Sequence, residues 1–281
     1  MNSFSRTDIK RVVNQALKED IGRGDITTEC LISRDKKMTA VIITKEPGVI
    51  CGLDIAGLVF KTLDKRIKFI SLVRDGAQIG SGRQIAKISG PAKGILSAER
   101  VALNFLSLLS GIATRTQAFV KKTKPSKVKI LDTRKTIPGL RGLEKYAVKA
   151  GGGFNHRFGL DDMFLIKENH IDIAGLKDIK ERLKKGRFLK IKLEAEARNL
   201  SEFKDVLCFK PDIIMLDNMT PKNIRQVVKL KNKLSLDIKI EASGNINIDN
   251  IAAYASTGID FISLGTLTKD IDALDFSLEI T

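Results

Sequence analysis

Hydrophobic residues in the first 95 positions follow no single period, and they predict a mixture of helices and strands. Residues 6–20 place apolar side chains at helical spacing and predict a short amphipathic helix. Apolar runs at 38–44, 48–51 and 67–74 predict strands, and residues 53–64 predict a helix between two of them. Strands and helices do not alternate regularly here, so this region is predicted to be an α+β unit.

A long apolar stretch begins near Ser97 and runs to residue 122. Its length and spacing predict one helix, with Ser97 as the N-cap and Gly111 near a break. Because most faces of this helix are apolar, we expect it to be buried between two layers or in a subunit interface.

From residue 127 the pattern changes to a regular repetition of strand, loop and helix. Parallel strands with intervening helices are typical of a βα barrel or a doubly wound sheet. No GxGxxG motif follows a predicted strand, which argues against a dinucleotide-binding unit. The strands are predicted at 128–131, 163–166, 189–196, 212–216, 237–242 and 260–264, and the helices at 141–150, 172–185, 199–208, 221–233 and 247–256.

Polar or glycine residues end or follow every strand of this repeat. In a βα barrel the carboxyl ends of the strands form one face, and that face carries the active site. Solvation alone would place such residues equally at the helix ends, so the pattern favours a site. In chain order the segments are Asp132-Thr133-Arg134-Lys135-Thr136, Lys167-Glu168-Asn169-His170, Glu194 with Glu196, Asp217-Asn218, Ser243-Gly244-Asn245 and Gly265-Thr266.

The strand at 189–196 has one charged face and one apolar face. Glu194 and Glu196 are two residues apart and share a face with Lys190 and Lys192. An edge strand with a solvated face would show the same pattern, but the position between apolar strands favours a polar interior. Glu194 is also a candidate ion-pair partner for Lys192 or Lys135.

Two glycine-containing loops follow the last two strands, at Ser243-Gly244-Asn245 and Leu264-Gly265-Thr266. A single glycine after a strand is usually a simple turn. In βα barrels, however, the last two loops commonly bind phosphate, because backbone N–H groups can approach its oxygens there. The pair therefore predicts a phosphate site.

Two carboxylates at strand ends, Glu196 and Asp217, allow two chemistries. They could act as acid and base in a hydrolase, or hold Mg²⁺ near a diphosphate. The excess of Arg and Lys beside them favours the anion and metal interpretation. His156 and Arg157 follow three glycines at 151–153. A lone histidine is more often a satisfied core residue, but this context favours a functional one.

The chain of 281 residues has a net charge of +16, which three interpretations explain. They are nucleic-acid binding, binding of very anionic small substrates, and a lysine-rich solvated surface without a ligand. Aromatic residues make up only 5% of the chain, and its distinctive cations lie at strand ends. We therefore predict small anionic substrates and no nucleic acid.

The sequence also bears on compartment and metal sites. No run of 18 residues lacks charge, and MNSFSRTDIK contains no apolar signal region, so we expect a cytoplasmic protein without a membrane partner. The spacing of Cys30, Cys51 and Cys208 fits neither a zinc site nor a disulfide framework. With only His156 and His170, a site with several histidine ligands is nearly excluded.

One known family resembles this chain over nearly its whole length. Quinolinate phosphoribosyltransferases have a central signature similar to residues 132–171, DTRKTIPGLRGLEKYAVKAGGGFNHRFGLDDMFLIKENHI. Further segments that resemble this family lie at 19–29, 97–116, 215–218, 241–246 and 262–270. The departures are Arg198, where an acidic residue is common, and Asn245, where many members have glycine. Asparagine tolerates the left-handed backbone conformation, so Asn245 weakens the resemblance to the family only slightly.

The resemblance implies an α/β fold, with an incomplete, seven-stranded α/β barrel and an N-terminal α/β sandwich domain. The sandwich would comprise residues 1–114 with the tail 271–281, and the barrel with the active site would comprise 115–270. The implied reaction joins quinolinate to phosphoribosyl pyrophosphate with Mg²⁺, giving nicotinate mononucleotide, diphosphate and CO₂ for NAD biosynthesis. Family members are homodimers or larger assemblies, with each active site at a subunit interface.

The resemblance also implies a role for each motif residue. Quinolinate would be lined by Arg134, His156, Arg157 and Lys167, with Thr133 beside Arg134 and Arg100 reaching in across the subunit interface. The catalytic groups would be Lys135 and Lys167 facing the diphosphate, and Glu196 and Asp217 at the ribose hydroxyls or the Mg²⁺ shell. The 5-phosphate would be held by Ser243, Gly244, Asn245, Leu264, Gly265 and Thr266.

Three alternatives to this enzyme remain at the level of sequence. A relative with the same fold, such as the pyrophosphorylase-like protein associated with molybdenum transport, would act on another substrate. Retention of Arg100, Arg134, His156, Arg157 and Lys167 favours quinolinate. A basic nucleic-acid-binding protein would show tight binding that falls steeply with salt. A non-catalytic structural subunit would have lost the residues at the strand ends, and they are present.

Overall fold

The structure is a computed structural model that describes residues 6–185 and 191–281. The chain forms two compact units. One contains Met1–Gln117, Thr136–Gly152 and Leu267–Thr281, and the other contains Ala118–Lys135 and Gly153–Thr266. The segment Thr136–Gly152 thus groups with the first unit, although it lies within the predicted barrel domain. The predicted domain boundary between residues 114 and 115 stays a prediction.

The first unit is built on a four-stranded antiparallel sheet of order β12-β1-β5-β3. A two-stranded sheet, β2-β4, accompanies it. The strands are β1 (Lys37–Thr44), β2 (Gly48–Val49), β3 (Lys68–Ser71), β4 (Gln78–Ile79), β5 (Gln84–Pro91) and β12 (Phe276–Ile280). The helices are α1 (Arg6–Ile21), α2 (Ile26–Leu31), α3 (Leu53–Leu63) and α5 (Arg141–Ala150).

The long apolar helix, α4, extends over Ala92–Lys122 and begins five residues earlier than predicted. Ser97 is therefore not its N-cap, and the Ser97 hydroxyl instead donates to Asp25 Oδ2 at 2.8 Å. Among the described helices, α4 alone is long and apolar enough to cross a membrane by length and composition. Buried residues make up 61% of its most apolar stretch, as in a core helix.

The second unit contains a six-stranded sheet of order β6-β11-β10-β9-β8-β7, in which every pair is parallel. The predicted mixed α/β fold with a parallel sheet is confirmed. The strands are β6 (Lys129–Leu131), β7 (Phe164–Ile166), β8 (Leu193–Ala197), β9 (Ile213–Asp217), β10 (Lys239–Ser243) and β11 (Phe261–Ser263). Helices α6 (Glu168–Ala174), α7 (Leu176–Lys185), α8 (Leu200–Val206), α9 (Pro221–Lys233), α10 (Ile251–Ala255) and α11 (Thr266–Lys269) follow the later strands, with a 3-10 turn at Leu207–Phe209.

The six-stranded sheet has one further pairing at its β6 edge. The first strand, β6, pairs with the last, β11, and on its other side Leu131 forms a parallel bridge with Phe154. Phe154 lies between β6 and β7 in sequence, so it occupies the place of a further strand that is one residue long. Six regular strands and this bridge lie side by side, and within the described residues no pairing joins Phe154 to β7.

Several predicted elements differ from the observed ones for local reasons. The predicted helix at 172–185 is two helices, because Gly175 between them has a φ of 75°. The predicted strand at 189–196 begins only at Leu193, and residues 189 and 190 lie outside the described residues. Strand β5 was not predicted, because its apolar residues are interrupted by Lys87 and by Ser89-Gly90. Strand β12 was also not predicted.

Candidate functional site

The parallel strands of the second unit bring their carboxyl ends to one edge of the sheet. Asp132 follows β6 there and is fully buried. Its carboxylate accepts hydrogen bonds from the His156 backbone N–H at 2.9 Å and from the Asn155 side-chain amide at 2.5 Å. Asp132 therefore holds the loop after Phe154 against the end of β6. This fixes the position of the backbone that carries His156 and Arg157.

The His156 side chain points towards two fully buried carboxylates. Its Nε2 atom lies 3.0 Å from Glu194 Oε2 and 3.6 Å from Glu241 Oε1. Its Nδ1 atom accepts a hydrogen bond from the Arg157 backbone N–H at 2.8 Å. The predicted pairing of Glu194 with Lys192 or Lys135 is not among its contacts, because His156 takes that place. Both ring nitrogens of His156 thus face protein groups, and its predicted contact with quinolinate stays a prediction.

Glu194 and Glu241 project into this buried cluster from β8 and β10, the two strands on either side of β9. Burial and the charge of Glu194 raise the pKa of Glu241 to about 8, while His156 and the nearby Ser263 hydroxyl oppose that rise. Two buried carboxylates this close to one histidine do not both ionise easily, since like charges in a desolvated site repel strongly. Glu241 is therefore mainly neutral at pH 7.

The guanidinium charges of Arg134 and Arg157 act on each other. Burial, followed by the charge of Arg134, lowers the pKa of Arg157, and Glu194 and Asp162 act in the opposite direction. The Arg157 Nη1 atom donates to the Met163 carbonyl at 3.0 Å, which holds the guanidinium in place. Two guanidinium groups that act on each other in this way are suited to bind a shared anion.

Lys167 and Glu196 form an ion pair at the ends of β7 and β8. The Lys167 Nζ atom lies 2.8 Å from Glu196 Oε2. Burial and a hydrogen bond with Glu168 raise the pKa of Glu196 to about 7, against the lowering effect of Lys167. The same hydrogen bond lowers the pKa of Glu168. One cation and two carboxyl groups thus share this part of the site.

The two glycine loops contact other site segments directly. Gly244 has a φ of 86°, and a Cβ atom there would collide with the Asn218 side chain, which follows Asp217 at the end of β9. A Cβ atom at Gly265 would lie 2.9 Å from Lys135 Cδ. Asn245 has a φ of 53° and donates from its amide to Asn218 Oδ1 at 2.9 Å. Gly244 therefore lies against Asn218 and Gly265 against Lys135, so closely that a side chain at either glycine would displace its neighbour.

Comparison with known proteins identifies the chain. A model of the quinolinate phosphoribosyl transferase C-terminal domain matches residues 112–279, and one of the N-terminal domain matches residues 25–110. The chain belongs to the quinolinate phosphoribosyltransferase family.

Relatives of this family match along almost the whole chain. A probable nicotinate-nucleotide pyrophosphorylase (carboxylating) of Bacillus subtilis is 41% identical, over 99% of this chain and 95% of its own length. The nicotinate-nucleotide pyrophosphorylase (carboxylating) of Mycobacterium leprae is 37% identical, over 95% of each chain. The solved nicotinate-nucleotide pyrophosphorylase of Francisella tularensis is 42% identical with a TM-score of 0.92, over 100% of this chain and 98% of its own.

Most of the residues that the quinolinate phosphoribosyltransferase resemblance singled out lie at the carboxyl-end edge of the second unit. Thr133, Arg134 and Lys135 follow β6, and Ser243 and Leu264 to Thr266 lie at the ends of β10 and β11. Arg100 lies elsewhere, exposed on α4 in the first unit. Its contribution across a subunit interface stays a prediction.

Sequence reasoning gave no role to three residues that organise this site. Asp132 and Glu168 were noticed only as polar residues after strands, and Glu241 was read only as part of a motif. An acidic residue inside an apolar strand, as in IKIEAS at 238–243, was the available signal for Glu241. The partners of all three come from other strands, so their roles become visible only in the folded chain.

Proposed function

We propose that this chain transfers the phosphoribosyl group of phosphoribosyl pyrophosphate to quinolinate and releases CO₂. The products are nicotinate mononucleotide, diphosphate and CO₂. The observation that carries this proposal is the Lys167–Glu196 ion pair, in the same unit as Arg134 and Arg157. Membership of the family and the names of the relatives support the same reaction.

The arginine pair fits a dicarboxylate. Quinolinate carries two adjacent carboxylates, and each guanidinium can donate two parallel hydrogen bonds to one of them. Arg134 and Arg157 repel each other in the free protein, as the lowered pKa of Arg157 indicates. A bound dianion would relieve this repulsion, so the pair favours quinolinate over an acid with one carboxylate.

Lys135, Lys167 and the glycine loops fit the second substrate. Lys135 lies against Gly265, so its cation is placed beside the loop proposed to hold the 5-phosphate. Departure of diphosphate leaves positive charge on the ribose, and the Glu196 carboxylate would stabilise that charge. Lys167, which now pairs with Glu196, would be shared with the anionic substrates.

The carboxylates also fit Mg²⁺, which is part of the proposal. Glu196 and Glu168 are close enough to shift each other's pKa, and two neighbouring carboxyl groups are stabilised by a proton or a cation between them. Mg²⁺ prefers such oxygen ligands together with substrate phosphates. Glu196 and Asp217 would hold it, and it would neutralise charge on the diphosphate.

Loss of CO₂ requires no reacting side chain of the protein. Once the pyridine nitrogen bears the ribosyl group, its positive charge stabilises the electron pair that the departing CO₂ leaves on the adjacent ring carbon, and a proton then adds to that carbon. The side chains need only to hold the substrates in position and to exclude water. No covalent nucleophile is required, which agrees with a site built from Arg, Lys and carboxylates.

The proposal includes the assembly and the location. A homodimer, or a larger assembly, would place Arg100 of one subunit at the quinolinate site of the other. The protein would act in the cytoplasm, without nucleic acid or a membrane.

A product assay tests the proposed function. Purified protein is incubated with quinolinate, phosphoribosyl pyrophosphate and Mg²⁺, and nicotinate mononucleotide is measured by chromatography. We expect product only when all three are present, and little with nicotinate in place of quinolinate. Equal turnover of nicotinate, or no product from an active preparation, would contradict the proposal.

A further inference from the structure

The edge of the parallel sheet opposite the candidate site carries a basic cleft to which the proposed reaction gives no task. The strands β6, β10 and β11 begin there, at Lys129, Lys239 and Phe261. A cleft of about 350 Å³ lies between these strand ends and the segments that lead into them. This volume is at the small end of the range for ligand sites, which is about 300–1,000 Å³. All residues that line the cleft belong to the second unit.

Lysine side chains outnumber carboxylates in this cleft. Lys127, Lys129 and Lys239 line it, and Asp260 is the one acidic residue among those that line it. Asp260 Oδ1 accepts a hydrogen bond from Lys239 Nζ at 2.9 Å, and Oδ2 lies 3.7 Å from Lys231 Nζ. Both oxygens of Asp260 thus face other lysines, so this carboxylate does not neutralise Lys127 or Lys129.

Lys127 and Lys129 form no ion pair within the described residues 6–185 and 191–281. Both are exposed. The Lys129 Nζ atom lies over the ring of Phe154, 5.0 Å from the ring centroid. An aromatic face attracts a cation but takes none of the three N–H donors of the ammonium in a strong hydrogen bond. Two cations at this edge of the sheet therefore keep their capacity to bind an anion.

The turn before β11 adds backbone donors to the cleft. Gly258, with a φ of 87°, and Ile259 both line it. In the part of the chain that the structure describes, neither backbone N–H has a hydrogen-bond partner, although Ile259 is buried. Buried N–H groups are nearly always paired in folded proteins, so that of Ile259 calls for an acceptor. Successive N–H groups in turns of this kind form concavities that bind anions.

We propose that this cleft binds the phosphate chain of an oligophosphate anion, at a site separate from the proposed active site. Lys127, Lys129 and Lys239 would supply point charges, and the N–H groups of Gly258 and Ile259 would donate to phosphate oxygens. The lining contains lysines and no arginine, which favours phosphate over a planar carboxylate. The proposal does not depend on the proposed function.

Amine footprinting of the wild-type protein tests where the anion binds. The protein is acetylated with and without inorganic triphosphate, and mass spectrometry measures the modification of each lysine. We expect Lys127 and Lys129 to lose most of their reactivity, because a bound anion covers their amines and keeps them protonated. Lys177 and Lys180, exposed on α7 in the same unit, are internal controls and should react as before.

Protection of other lysines decides against the proposal. Protection confined to Lys135 and Lys167 would place triphosphate at the proposed active site alone and would overturn it. Equal protection of Lys177 and Lys180 would show a general effect of the anion and would also overturn it.

A matched pair of variants measures the affinity of the cleft itself. The protection of Lys239 at increasing triphosphate concentration gives the dissociation constant. Replacing Lys127 and Lys129 by Gln should weaken binding about tenfold or more, since one charge-assisted contact changes affinity by about that factor. Replacing Lys177 and Lys180 by Gln removes the same charge, and affinity should stay within about threefold, because solvent and salt screen exposed charges outside the cleft. Equal losses in both variants, with unchanged Tm, would reject the site.

Other anions distinguish the sources of the phosphate chain. Adenosine triphosphate that protects Lys127 and Lys129 better than inorganic triphosphate would assign the site to a nucleotide, and weaker protection would assign it to a free oligophosphate. Both results support the proposal. Protection by single-stranded DNA without protection by triphosphate would assign the surface to nucleic acid and overturn it. A protein that is inactive in the product assay but protected in the cleft would reject the proposed function and retain this site.

Discussion

Lys167 and Glu196 meet at the ends of two adjacent parallel strands, with 2.8 Å between Nζ and Oε2. The glutamate side chain is 4% exposed, whereas that of the lysine is 43% exposed. Solvent and substrates can therefore reach the cation, while the carboxylate stays desolvated. A lysine that can turn from Glu196 to an anion would leave a buried negative charge near the ribose, where the reaction develops positive charge.

Replacement of Glu196 tests this relationship. In Glu196→Gln the side chain keeps its shape but loses the charge, so kcat should fall by roughly 100-fold or more. Quinolinate affinity should stay within about threefold, because the arginine pair is intact. Steady-state kinetics and calorimetry measure the two quantities. Glu202→Gln, which removes a surface partner of Arg198, is the control. A kcat within tenfold of wild type would show that the Glu196 charge does not stabilise the transition state.

Loss of Arg157 should act on quinolinate alone. Truncating one member of a buried, hydrogen-bonded charge pair costs about 2–5 kcal/mol, so Arg157→Ala should weaken quinolinate binding by about 30- to 5,000-fold. Calorimetry on folded protein measures the effect, and Arg198→Ala at the surface is the control. Unchanged quinolinate affinity in a folded Arg157→Ala variant would contradict the proposed binding of quinolinate by Arg134 and Arg157.

Gly244 should be intolerant of a side chain for two separable reasons. Gly244→Ala strains a residue with a φ of 86° and drives a methyl group into Asn218. Gly258→Ala, at a φ of 87°, imposes the same strain with a nearest contact of 3.5 Å. Both variants should lose about 1–3 kcal/mol of stability. Only Gly244→Ala should raise the KM for phosphoribosyl pyrophosphate, and an equal rise in both would argue against this phosphate loop.

The raised pKa of Glu241 predicts how stability changes with pH. Its pKa rises from 4.5 to about 8 on folding, mainly because of burial. The folded state therefore binds this proton more tightly, and the stabilisation present below pH 4.5 is lost as pH rises towards 8. Urea unfolding should show Glu241→Gln gaining stability relative to wild type between pH 5 and pH 8. A difference that does not change with pH would mean that Glu241 does not bind a proton in this range.

Mixing of subunits tests the proposed shared site. Arg100→Ala and Glu196→Ala are each expected to be inactive, but a heterodimer would contain one site with both native residues. Random mixing should therefore restore about a quarter of the sites, since half of the dimers are mixed and each has one intact site. Mass spectrometry confirms that heterodimers form. Absence of activity in confirmed heterodimers would place Arg100 within its own subunit's site or outside any site.

The spacing of hydrophobic residues predicted most of the strand–helix repeat that begins at residue 127. Helices α5 and α9 were predicted with their observed limits, and all six regular strands of the parallel sheet were found. The bridge between Phe154 and Leu131 was not predicted, because Phe154 is a single residue in a glycine-rich loop without strand-like spacing. The edge strand β12 was missed because it is paired with β1 from the other end of the chain.

Residue types at strand ends predicted which part of the chain carries the candidate site. They did not predict which side chains contact each other there. Lys167 and Glu196 were singled out separately, but their ion pair depends on β7 lying beside β8. The cluster of His156, Glu194 and Glu241 joins three segments that are far apart in sequence. Its burial follows from how these segments pack together, which hydrophobic spacing alone does not give.

The most direct test of the account is the stoichiometry of the reaction. Quinolinate labelled with ¹³C in its 2-carboxylate is incubated with phosphoribosyl pyrophosphate and Mg²⁺, and labelled CO₂ and diphosphate are measured together. The account predicts equal amounts of the two, and no CO₂ when phosphoribosyl pyrophosphate is left out. Diphosphate release without CO₂, or CO₂ release without phosphoribosyl transfer, would contradict it.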